Sequence, residues 1–232
     1  MPSLAGLRLT EVPPQGLWRI ARAPDPLSVG PLPTPADLAD PLLGTRFASA
    51  RGDYGVLYFG TDLECCFGET LAHFRPDPEV LAVAGSDWAS AQSGFMAMGA
   101  VPADWRQRRL AVRVAVPSSA RFVDVEDLET RHVLRSHLAK VLAAYGYRDL
   151  DVSTIRGPDR RVTRLVSQEI HDFALAEMAP IAGVRYDSRI RTGWEAWAVF
   201  DHVPLTELER LPITRDMAPL AKVAKLFGLV VQ

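Results

Sequence analysis

The chain has 232 residues, 48% of them hydrophobic and 23% charged, with a formal net charge of −2. That length can bury a substantial core, and the near-neutral charge exerts no general pull toward nucleic acid or an anionic membrane surface. No apolar run approaches bilayer-spanning length, and the N-terminus lacks the basic-then-apolar pattern of a secretion signal. The two cysteines, Cys65 and Cys66, are adjacent and badly placed to bridge one another, so a reduced, cytoplasmic setting without membrane contact is the expectation.

In chain order, residues 1–16 are punctuated by proline and read as an N-terminal arm ahead of one domain, 17–232. Leu17–Ala21 is a first candidate strand. Six prolines between Pro24 and Pro41 are too many for a helix or an inner strand, which leaves a surface loop, either a binding loop or a lid. Gly44–Ala48 reads as a second strand, and Arg51–Tyr54 as the turn into a third. That third strand, Gly55–Gly60, is an apolar run closed by glycine at both ends. Thr61-Asp-Leu-Glu64 then has the form of a capping box that starts a helix. Leu63, Phe67 and Leu71, at four-residue spacing, form its core stripe, and Glu69 lies off it on a flank with Cys65, Cys66 and His73. Strand, turn and helix therefore bring Tyr58 and Glu69 near one another on rigid elements. Taken alone, a Glu on a helix flank is usually a solvated charge, and a Tyr in a strand is usually a core or rim residue.

Residues 77–105 carry a weak pattern, with Val80–Ala84 as a short strand. Leu110–Val116, rich in β-branched residues and stopped by Pro117, is a strand, and Arg121–Val125 follows as another. Leu134, Leu138, Val141, Leu142 and Tyr145 stripe a helix that ends near Gly146. Val162, Leu165, Val166, Ile170 and Phe173 stripe a second. Gly183–Ser188 and Glu195–Phe200 are the last clear strands. Pro219 begins and Gly228 ends a final helix, and the apolar run Leu229–Val231 closes the chain. Strands and helices interleave without a β-α-β rhythm, which predicts a single α+β domain.

Among chemical signatures, GxGxxG, GxxxxGK[ST], GxSxG, HExxH and CxxC do not occur. The five histidines are scattered without metal-ligand spacing, so no metal site is expected, and His171 reads as structural. Arg156, Arg160, Arg161 and Arg164 cluster near a helix start, either as a solvated face or as a holder of phosphate. The remaining constellation is Arg46, Tyr58, Glu69 and Ser188.

GTRF at 44–47, VLYFG at 56–60, the helical Glu69, GVRYDSR at 183–189 and WAVFD at 197–201 occur in that order. Together they resemble the RES family, named for its Arg, Glu and Ser, over most of the chain from Trp18 to Asp201. The resemblance implies a fold like that of ADP-ribosyltransferases: a mixed sheet with flanking helices. It also implies a toxin of a bacterial toxin–antitoxin pair that consumes NAD, as substrate rather than as a recycled cofactor. The implied partner is a helix-turn-helix antitoxin, through which alone nucleic acid would be met. Two departures stand out: Phe47-Ala48 where the family often has Trp-Asn, and the Glu195-Ala-Trp197 region where it often has Asn.

The residue types suit that chemistry. Arg46 can hold a pyrophosphate through charge-assisted bonds, and Tyr58 can stack on the cationic nicotinamide ring. Glu69, the expected catalytic group, can stabilise positive charge developing on the ribose. Ser188 can bond the nicotinamide amide or the ribose, or else simply its own turn. Two rivals remain at this level: a non-catalytic nucleotide-binding module of the same fold, and a nucleic-acid binder using Arg156–Arg164.

Overall fold

A computed structural model describes residues 6–76 and 99–232. The chain opens with β1 (Leu9–Thr10) and β2 (Leu17–Arg22), followed by the short α1 (Pro35–Ala39). β3 (Val56–Gly60) leads into α2 (Leu63–Leu71) and a 3₁₀ turn at Ala72–Phe74. Then come β4 (Ala100–Val101), α3 (Ala103–Gln107), β5 (Arg109–Ala115), β6 (Arg121–Asp124) and α4 (Leu128–Ala144). α5 (Val152–Arg156) and α6 (Arg160–Ala176) precede β7 (Ile181–Asp187), β8 (Glu195–Phe200) and β9 (Thr206–Pro212). α7 (Ala218–Phe227) and β10 (Val230–Val231) complete the order.

The predicted α+β class holds. One mixed sheet runs β1-β6-β7-β8-β3-β2-β5-β9, while β10 and β4 form a small parallel pair of their own. In the large sheet β6 and β7 are parallel and the other neighbours antiparallel.

Side chains alternate across this sheet. Leu57 and Phe59 of β3 join Val112, Val114, Trp197 and Val199 in one apolar cluster. Val56 and Tyr58 point the other way, into a larger cluster that holds the apolar faces of α2, α4, α6 and α7. Phe67 and Leu71 on α2 are fully buried there, and burying side chains of that size contributes about 1.5–3 kcal/mol each. The four-residue stripe in α2 thus faces the core as the spacing predicts.

The expected strand at Gly44–Ala48 is instead a loop. Side chains replace a ladder there: Phe47 N donates to Tyr58 Oη (3.0 Å), and Phe47 O accepts from Ser167 Oγ (2.8 Å). The cap of α2 also falls one residue later than expected. Asp62 Oδ1 accepts from Cys65 N (2.8 Å). Thr61 is recruited by β8, its Oγ1 donating to Glu195 Oε2 (3.1 Å) and accepting from Trp197 Nε1 (3.0 Å).

The proline-rich loop contains α1, which forms because Pro35 sits in the first turn and Thr34 with Asp37 makes a capping box. Part of the N-terminal arm also pairs, with Leu9 opposite Val123 in β6. α3, α5 and β9 lay outside the sequence expectations; five-residue helices are too short to show a period, and β9 is a polar edge strand. Val80–Ala84 lies outside the described residues.

Candidate active site

β2 and β3 pair at one position, Trp18 with Gly60. Past it, a guanidinium takes the place of the ladder. Arg19 donates from Nη1 to Tyr58 O (3.0 Å) and from Nε to Pro26 O (2.8 Å), so the freed strand carbonyl is satisfied. The gap belongs to a cavity of about 530 Å³, a size suited to a small ligand.

Tyr58 of β3, Glu69 of α2 and Arg46 of the 44–48 loop line this cavity together. Arg160 in the first turn of α6, Tyr186 of β7 and Arg189 just after β7 line it too. Five arginines (Arg19, Arg46, Arg75, Arg160, Arg189) contribute to the wall, against Glu69 as the one carboxylate among the described lining residues. A pocket so unbalanced favours anionic ligands.

Burial lowers the guanidinium pKa of Arg19, Arg46 and Arg160, yet arginine stays charged at neutral pH. Burial likewise raises the phenols of Tyr58 and Tyr186, which remain neutral. The Cys66 thiol, also in the wall, is pushed up to about 12 by burial, and Cys65 is raised in the same way. Neither supplies a thiolate nucleophile near neutral pH.

Arg46 turns partly away from the open space. Its Nη1 donates to Arg156 O (3.3 Å) and its Nη2 to Ile155 O, the last carbonyls of α5, which lack helical partners. Its Nε is buried without a partner. The hydroxyl of Tyr58 is held by Phe47 N, which fixes the ring against the cavity.

Ser188 is not brought into this group. It is 1% exposed and absent from the cavity wall, whereas its neighbours Arg189 and Ile190 are part of it. Its Oγ accepts from Ile190 N (3.0 Å), and its own N–H donates to Trp194 O (2.8 Å), so the side chain bonds the local turn.

The arginine cluster does not form one solvated face. Arg164 is 1% exposed and donates to Asp37 O (3.0 Å) and Leu43 O, tying α1 and the loop after it to α6. Arg156 pairs with Glu126 (2.9 Å) and Asp187 (3.2 Å), and Arg161 with Asp159 (2.7 Å). Arg160 alone of the four lines the cavity. His171 is buried and stacks on Tyr54 with ring centroids 3.9 Å apart, a structural role as expected.

The two departures from the family pattern also have structural places. Phe47 is fully buried with its ring centroid 4.7 Å from that of Tyr186. Trp197 is buried in the opposite cluster, and Glu195 pairs with Arg185 (2.5 Å). Arg19, Tyr186 and Arg189 are not among the residues the sequence points to, and Arg160 enters there only as one of four arginines that could hold phosphate. Tyr186 and Arg189 lie inside the GVRYDSR segment and Arg160 inside the arginine cluster, while nothing in the sequence around Arg19 marks it.

Fold and cleft together define a single-domain α+β protein with a cationic cavity. The RES domain model matches residues 16–217, and the chain belongs to that family. No curated protein matches the chain. Among solved structures, it is similar to a chain in the crystal structure of the M. tuberculosis MbcT-MbcA toxin-antitoxin complex. That match has 12% identity, covers 95% of this chain and 92% of the other, and has a TM-score of 0.49. Among the described residues, no helix is long and apolar enough to cross a membrane, and no group of three or more His, Cys, Asp or Glu is suited to a metal ion.

Proposed function

We propose that this protein is an NAD-consuming enzyme that breaks the bond between nicotinamide and ribose. Membership of the RES family supports the reading. The observation that carries it is Glu69, the one carboxylate among the described lining residues of an arginine-rich cavity, mounted on a helix packed into the core. Cleavage of an N-glycosidic bond develops positive charge on the ribose, which an ionised carboxylate stabilises. Nicotinamide leaves as a neutral molecule, so no general acid is required. Tyr58 and Tyr186 offer aromatic faces for its ring.

The acceptor of the ADP-ribosyl group is water, phosphate or a protein side chain, and analysis of the products separates hydrolysis, phosphorolysis and transfer. Biologically the reading is that of a cytoplasmic toxin, with a small helix-turn-helix antitoxin covering the cleft. The test is nicotinamide release from NAD by purified protein. Glu69→Gln is expected to lose about a hundredfold or more in rate, as other lost transition-state stabilisers do. Equal rates in wild type and variant would overturn the assignment.

A further inference from the structure

We propose that Arg160, with Arg189 beside it, is the group that binds the pyrophosphate in this cavity, and that Arg46 is a positioning residue for the cavity wall. The assignment rests on the reading of the cavity as an NAD site.

Three observations carry it. Both Nη groups of Arg46 are committed to the carbonyls of Ile155 and Arg156, which would be stranded if the guanidinium swung toward a ligand. Arg46 leaves only its Nε unpartnered, whereas Arg160 has both Nε and Nη1 buried without a hydrogen-bond partner. Buried donors without acceptors are costly; Arg156 and Arg161 find theirs in Glu126, Asp187 and Asp159, and Arg164, whose Nε is also unpartnered, has backbone carbonyls for its Nη groups. Arg160 is therefore the one member of the cluster that both has unmet donors and lines the cavity.

Third, the charges converge. Arg189 is exposed and lines the same cavity, close enough to repel the guanidinium groups of both Arg160 and Arg46. An anion carrying two charges relieves that crowding and supplies acceptors to both arginines through charge-assisted bonds. A diphosphate ester, the linkage at the centre of a dinucleotide, has that chemistry. The Arg160 backbone is held rigidly for the task, its N–H donating to Pro41 O (2.6 Å) at the start of α6.

The experiment is calorimetric titration with ADP-ribose, which carries the pyrophosphate and needs no turnover to be read. Wild type binds it; Arg160→Gln is expected to bind tenfold or more weakly, and Arg189→Gln several-fold more weakly. Arg46→Gln is expected to show its main effect as a lower melting temperature. Wild-type affinity in Arg160→Gln overturns the proposal, as does failure of the wild type to bind ADP-ribose. Should Arg160→Gln not fold, wild-type affinity in Arg189→Gln, a change at an exposed position, overturns it instead. The two readings fail separately. Nicotinamide release together with unchanged ADP-ribose affinity in the arginine variants removes only the present proposal. ADP-ribose binding that depends on Arg160, without nicotinamide release by the wild type, removes only the enzymatic reading.

Discussion

Gly68 on α2 lies against the indole of Trp194, where an added Cβ would stand 2.0 Å from Cζ3. This close approach seats the helix against the corner between β7 and β8, and Glu69, the next residue, takes its position from that seat. Trp194 is 5% exposed, so close packing leaves the ring little room to step aside. Gly68→Ala is therefore expected to lower stability by about 1–3 kcal/mol through overpacking, although alanine is the better helix former. A lower melting temperature together with slower nicotinamide release is the expected pair of results. A variant as stable as wild type would mean that the ring yields.

Tyr58→Phe keeps the ring but removes the acceptor of Phe47 N. The amide belongs to a buried residue, and stranding a buried donor costs about 1–3 kcal/mol. Urea unfolding is expected to show a lower midpoint with an unchanged slope. The loop that carries Arg46 loses its tie to β3 in the same variant, so NAD turnover is expected to fall as well.

Ser188→Ala tests how that residue acts. Its Oγ holds Ile190 N, and the turn it closes presents Arg189 to the cavity. Losing the bond is expected to cost about 1 kcal/mol of stability and to raise KM for NAD while leaving kcat nearly unchanged. A fall in kcat at unchanged KM would point instead to direct contact with the reacting bond.

Asp159 supplies a pH dependence. It caps α6 by accepting from Arg161 N (2.9 Å), pairs with the Arg161 guanidinium (2.7 Å), and accepts from Tyr147 Oη (3.1 Å). The bond from the Arg161 side chain, followed by the Arg161 backbone N–H and its charge, holds the carboxyl below the usual carboxylate range against the opposing effect of burial. A carboxyl depressed in the folded state stabilises fully above its unfolded pKa of about 3.9 and loses that contribution as pH falls through the folded value. Asp159→Asn keeps a capping oxygen but not the charge. It is expected to be about 1 kcal/mol less stable than wild type at pH 7, with the gap closing as pH drops below about 4. A gap that stays constant down to pH about 2 would contradict this account.

Much of the frame was legible because its signals are local. The stripe in α2, the span Glu195–Phe200 of β8, and the limits of α7 between Pro219 and Gly228 follow from periodicity and caps. Gly228 adopts the left-handed conformation at φ 67°, as a helix-ending glycine is expected to. Tyr58 and Glu69 fell on one cavity because a strand, a tight turn and a helix leave little freedom between them.

What the sequence determined by itself, then, is the α+β class, the long helices and the strand-turn-helix unit bearing Tyr58 and Glu69, since each is encoded by neighbours a few positions apart. Only the tertiary structure decided that Gly44–Ala48 is a loop pinned by Tyr58 and Ser167, that Arg164 is buried, and that Arg46 reaches the end of α5 while Arg160 and Arg189 stand toward the cavity. Those outcomes depend on partners more than 100 positions distant along the chain for Ser167, Arg164 and Arg46. A polar group takes whichever acceptor or donor the assembled fold sets beside it, and no local pattern records that choice.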